Sequence, residues 1–101
     1  MAFVKAAKTA DVAPGTIGEF QVEGKPIAVA NVAGKFYAIS GTCLHRGGPL
    51  GQGSLDGTVV MCPWHAWQFD VTTGKVPGNS EVGVACYALE VRGEDIFVDA
   101  G

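Results

Sequence analysis

Residues 17–40 read IGEFQVEGKPIAVANVAGKFYAIS. Three runs rich in β-branched and aromatic residues, at 17–22, 26–32 and 36–40, are separated by Glu23-Gly24-Lys25 and Ala33-Gly34-Lys35. Such side chains suit a pleated, half-buried surface, and glycine supplies the positive φ that a tight hairpin turn demands. Two consecutive antiparallel hairpins are expected. No apolar period of 3.6 is sustained over ten residues here or elsewhere in the chain, so no long helix is predicted.

Working outward, similar short runs at 3–5, 58–61, 68–71, 87–91 and 96–98 are predicted strands. Turn signals divide them at Pro14-Gly15, Asp56-Gly57, Thr73-Gly74-Lys75 and Arg92-Gly93-Glu94-Asp95. The fold class is therefore all-β. Pro77-Gly78-Asn79-Ser80 reads as a surface loop. Two stretches, 41–53 and 62–67, resist a strand reading, and irregular loops on a rigid sheet are where binding residues concentrate.

At 101 residues, with no internal repeat and no interdomain linker, residues 1–101 are expected to form a single domain. A domain this small buries a modest share of its surface, so a metal centre tying loops together would help stabilise it. Formal net charge is −3, with ten acidic residues and no basic run, which argues against nucleic acid or an anionic membrane as partner. A protein with a basic docking surface fits better. The first residues show no apolar leader, and nowhere is there an apolar stretch of membrane-spanning length, so a soluble cytoplasmic protein is expected.

The chemistry-bearing signal is Cys43-Leu44-His45, then sixteen residues, then Cys62-Pro63-Trp64-His65. Three cysteines is an odd number, and two of them stand beside the only two histidines, which favours metal ligation over a disulfide framework. Thiolate and imidazole are donors for zinc or iron–sulfur chemistry, whereas a hard cation would call for carboxylates. Familiar zinc spacings pair Cys with Cys and His with His. The mixed pairing favours instead a two-iron cluster in which one iron takes both sulfurs and the other both nitrogens. A structural zinc-binding interaction domain remains the alternative from another class.

The stretch from Cys43 through His45, Arg46, Gly47, Gly48 and Pro49 to Leu50, and that from Cys62 through His65 and Trp67 to Asp70, resemble the two cluster-binding boxes of Rieske proteins. With Phe36-Tyr37-Ala38-Ile39 ahead of the first box and Asp95-Ile96-Phe97-Val98 closing the chain, the resemblance to stand-alone Rieske ferredoxins covers almost its whole length. It implies an antiparallel β-sandwich of Rieske (ISP-domain) type with two cluster-binding loops at one tip, in a subregion of about residues 41–70. It implies one 2Fe-2S cluster on Cys43, His45, Cys62 and His65, with the histidines at the exposed tip and the cysteines deeper.

Rieske subunits of respiratory cytochrome complexes carry two further cysteines that clamp the loops, and a serine and a tyrosine hydroxyl near the cluster. The matching positions here are Gly48 and Trp64, and Trp67 and Phe69. Fewer hydrogen bonds to sulfur leave the reduced state less stabilised, so a potential near the low end of the known Rieske span, roughly −150 to +300 mV, is expected. By resemblance the chain is not itself an enzyme. It would carry one electron from a flavoprotein NAD(P)H reductase to the terminal oxygenase of an aromatic-ring-hydroxylating system. The second choice is the small subunit of an assimilatory nitrite reductase, with that enzyme's large subunit as partner.

Other residues have blander readings. Cys86 shares strand parity with Ala88 and Glu90, opposite Tyr87 and Leu89, and reads as a strand residue with no redox task. Trp64, Trp67 and Phe69 read first as packing. Pro49 and Pro63 are expected to fix loop shape. The glycines at 47, 48, 51 and 53 serve either close backbone approach to the sulfides or a solvent turn. Arg46 could steer docking, and Asp70 could pair with Lys75.

Overall fold

The computed structural model describes residues 3–42, 49–62 and 67–99, with 79 and 80 described in backbone only. The strands are β1 (Val4–Lys8), β2 (Ile17–Val22), β3 (Lys25–Val32), β4 (Lys35–Ser40), β5 (Ser54–Asp56), β6 (Val59–Met61), β7 (Gln68–Asp70), β8 (Lys75–Val76), β9 (Asn79–Gly83), β10 (Cys86–Arg92) and β11 (Asp95–Asp99). Single 3-10 turns occupy Thr9–Asp11 and Leu50–Gln52. Among the described residues no helix is long and apolar enough to cross a membrane.

Both expected hairpins form. β2 pairs with β3 from Ile17↔Ala30 to Val22↔Lys25, and β3 pairs with β4 from Ile27↔Ser40 to Val32↔Lys35. Their two-residue turns place Glu23 at φ 51° and Gly24 at 81°, and Ala33 at 52° and Gly34 at 94°. Two successive left-handed residues match the right-handed twist of the flanking strands, as in type I′ turns.

Six strands pair in the order β1-β11-β10-β4-β3-β2, with antiparallel pairing throughout. β10 is the corner: Cys86 and Tyr87 pair with Ile39 and Ala38 of β4, while Ala88 to Arg92 pair with β11. A strand shared in this way lets one ribbon fold over on itself as a sandwich. Ala7, Val12, Val22, Ile27, Val29, Ala38, Ile96 and Val98 fill the space inside.

A second core lies on the other face of β3 and β4, where the β5-β6-β7 sheet and the Leu50–Gln52 turn cover them. Ala28, Ala30, Ile39, Leu50, Val60, Cys62, Phe69 and Val71 are buried there. The unbroken run Ile27-Ala28-Val29-Ala30 is thereby explained. β3 is buried on both faces, so period-2 alternation gives way to continuous apolarity.

Asn31, 3% exposed, is the single buried polar residue among those described. Its Nδ2 donates to the Val12 carbonyl at 2.8 Å, and its Oδ1 accepts from the Gly34 N–H at 2.7 Å. The Asn31 backbone bonds Thr16 and Gly15, which fastens the β1–β2 connection to the end of β3.

Three strands were not expected from the sequence. β5 carries only Ser54-Leu55-Asp56 between two turn signals, and it is held by pairing with β6 from Ser54↔Met61 to Asp56↔Val59. Residues 77–80, expected as a surface loop, are instead the turn between β8 and β9 plus the first two residues of β9. Close backbone approach makes this possible, since the Val84 N–H donates to the Gly74 carbonyl at 2.7 Å and a side chain on Gly83 would collide with that carbonyl. Asp70 does not reach for Lys75. Its Oδ1 accepts from the Thr72 N–H at 2.9 Å and the Thr72 hydroxyl at 2.6 Å, closing the turn after β7.

Candidate metal centre

The described chain brackets two segments, residues 43–48 and 63–66, that lie outside the described residues. Thr42 and Pro49 form an isolated antiparallel bridge that brings the ends of the first loop together. Beneath it the Leu50 N–H donates to the Gly41 carbonyl and the Gly41 N–H to the Pro26 carbonyl, each at 2.9 Å. The second loop is closed at its base by the Cys62 N–H, which donates to the Trp67 carbonyl at 2.7 Å, directly above the Met61↔Gln68 pair.

Glycines let these stems pack closely. A Cβ on Gly51 would run into the Glu19 backbone of β2, and one on Gly53 into the Met61 carbonyl of β6. The close approach expected of Gly51 and Gly53 is therefore made to strands, and nothing in it requires a sulfide. Because Gly53 touches the residue before Cys62, the stems of both loops are neighbours. They share the second core, where Leu50 and Cys62 are both buried. Pro49, at φ −79°, precedes the Leu50–Gln52 turn as a fixed stop.

Of the four candidate donors, Cys62 is described. It is 2% exposed, free of any disulfide, and sits at the base of the second loop among Val60, Phe69 and Leu50. Cys43, His45 and His65 lie outside the described residues, as do Arg46, Gly47, Gly48, Pro63 and Trp64. Trp67 packs against the same core, its ring centroid 6.2 Å from that of the fully buried Phe69 at an interplanar angle of 34°. Packing is thus part of what both aromatics do.

Cys86 stands on β10 opposite Ile39, on the exposed side of the strand as its parity implied. Partial burial of its sulfur pushes the thiol pKa above the ordinary value, which keeps it protonated near neutrality. Among the described residues no group of three or more His, Cys, Asp or Glu side chains gathers as an alternative metal site. Sequence reasoning passed over the Gly41 and Trp67 carbonyls, whose backbone hydrogen bonds leave no mark on residue type, and Asn31, whose side-chain amide bonds backbone groups 19 and three residues away.

Residues 2–88 match the family profile of the Rieske [2Fe-2S] domain. The chain is 36% identical over 100 residues to the ferredoxin component of biphenyl 2,3-dioxygenase from Rhodococcus jostii, covering 98% of this chain and 94% of that one. Among solved structures it superposes with a TM-score of 0.83 on a chain of the complex of reduced oxygenase and oxidised ferredoxin in carbazole 1,9a-dioxygenase. The two are 35% identical over 95% of this chain and 91% of the other. A protein described as the small subunit of an NADPH nitrite reductase shares the fold, with a TM-score of 0.81 over 99% of this chain and 100% of that one, at 16% identity.

The donor set fits the cofactor that this family implies, one 2Fe-2S cluster. Two of the three cysteines and both histidines fall in the sequence within 43–45 and 62–65, and Cys62 lies where an apolar wall would shield a thiolate from water. By motif, fold and relatives alike, the chain belongs to the Rieske [2Fe-2S] family.

Proposed function

We propose that this chain is a one-electron carrier, with residues 1–101 as one Rieske domain and Cys43, His45, Cys62 and His65 as the cluster ligands. It receives electrons from a flavoprotein NAD(P)H reductase and passes them to the terminal oxygenase of a ring-hydroxylating system, in the cytoplasm. The observation that carries this reading is 36% identity to a dioxygenase ferredoxin component over nearly the full length of both chains. The likeness to a nitrite reductase small subunit is one of fold alone.

Held by those four residues, a 2Fe-2S cluster would supply one-electron redox chemistry. The chain's own residues set the conditions. Cys62 offers its sulfur from a buried position, and Leu50, Val60 and Phe69 exclude water behind it. The Trp67 carbonyl accepts the Cys62 N–H, so this donor is not left for sulfur. Trp67 and Phe69 bring no hydroxyl. Fewer hydrogen bonds to sulfur disfavour the more negative reduced state, which supports a potential toward the low end of the Rieske span.

Iron and acid-labile sulfide analysis of anaerobically purified protein, with visible absorption, tests the reading. Two irons and two sulfides per chain are expected, and His65→Ala should abolish the visible spectrum. A colourless protein with one zinc and no sulfide would replace the electron carrier with a zinc-binding domain.

A further inference from the structure

The outer face of the β5-β6-β7 sheet has no described cover. Residues paired directly across antiparallel strands share a face, so Ser54, Met61 and Gln68 form one row and Asp56, Val59 and Asp70 the next. Val60 and Phe69 alternate with them into the core. Five of the six, all but Asp70, line a shallow groove of about 260 Å³.

Three properties set this groove apart. Met61, immediately before Cys62, is 39% exposed, one of three large hydrophobic side chains left so open among the described residues. Among the described residues no cation lines the groove. Asp70 is engaged by Thr72, whereas Asp56 enters no ion pair among the described residues. An apolar floor beside an unpaired carboxylate complements an arginine or lysine, whose stem packs on Met61 and Val59 while its head meets Asp56.

We infer that this groove receives a basic side chain from the docking face of the electron-accepting protein, seating that protein beside the second loop. The inference rests on the electron-carrier reading for its partner. Position supports it, because the Met61↔Gln68 pair at the groove's upper end is the base of that loop. A charge here acts chiefly on the rate of encounter and on its salt dependence.

The test uses the cluster-loaded chain and horse cytochrome c, a redox protein with a lysine-ringed electron entry. Asp56→Lys and Asp56→Asn are compared with Glu94→Lys on the β10–β11 turn, at the end of β10 away from Cys86, which controls for net charge. Two readouts are taken: the bimolecular reduction rate against ionic strength, and carbodiimide cross-links between carboxylates and lysines mapped by mass spectrometry. Asp56→Lys should slow reduction about tenfold at low salt, Asp56→Asn by less, and Glu94→Lys by no more than about twofold. The differences should close at high salt, and Asp56 should be among the cross-linked carboxylates. Equal effects of Asp56→Lys and Glu94→Lys, no effect of either, or cross-links confined to other faces would overturn the inference. Cross-linking needs no cluster, so a protein without the visible spectrum fails the electron-carrier reading while the groove is still judged.

Discussion

Asn31 shows how much one polar side chain can hold in place. Truncation to alanine leaves the buried Val12 carbonyl without its partner and removes the acceptor of the Gly34 N–H in the exposed β3–β4 turn. Asn31→Ala is expected to cost about 1–3 kcal/mol, seen as a lowered thermal midpoint of the loaded protein at fixed conditions. An unchanged midpoint would mean water replaces the amide at no loss. Cys86 allows a test of a different kind. Its raised thiol pKa leaves little thiolate at neutral pH, so iodoacetamide should label it more slowly than free glutathione at pH 7. Its rate should still be climbing with pH after the glutathione rate has levelled. Labelling that levels earlier than glutathione would contradict the burial that raises it.

Elements are where sequence and structure can be compared most closely. The β2-β3-β4 hairpins were legible because apolar runs and Gly-containing turns agree on the same boundaries. β5 and the β8-β9 hairpin were not, since Ser54-Leu55-Asp56 and the start of β9 have little intrinsic strand preference and exist through pairing with the adjacent strand across a short turn. At the candidate site, residue type and spacing single out four candidate donors, of which Cys62 alone lies among the described residues. The stems were not legible, because the Cys62–Trp67 and Leu50–Gly41 hydrogen bonds involve backbone alone.

Two substitutions test the element-level account. Ala33 occupies the first position of a type I′ turn at φ 52°, where asparagine is tolerated far better. Ala33→Asn should therefore raise stability by about 0.5–1 kcal/mol by thermal denaturation. Gly51→Ala should do the reverse, since a methyl there meets the Glu19 backbone, which cannot step aside. A loss of about 1–3 kcal/mol is expected, with faster bleaching of the visible chromophore as the first loop's stem loosens. Stability equal to the parent would show that the 3-10 turn shifts freely.

For the whole molecule, two cores back to back leave β3 and β4 as a shared wall, and the second core alone carries both loop stems. One half of the protein thus serves chiefly as a rigid mount for the other. Net negative charge suits a small carrier that meets a basic partner and leaves again, since long-range attraction speeds encounter without deepening the bound state. In the proposed reading two sulfurs and two imidazole nitrogens, from Cys43, Cys62, His45 and His65, hold one pair of irons. Electron–nuclear double resonance on the dithionite-reduced protein, grown with 15N-histidine in an otherwise 14N background, tests it most directly. Strong 15N couplings from two imidazoles are expected, with one lost in any His65→Ala protein that retains iron. A paramagnetic two-iron signal without histidine coupling would contradict the account.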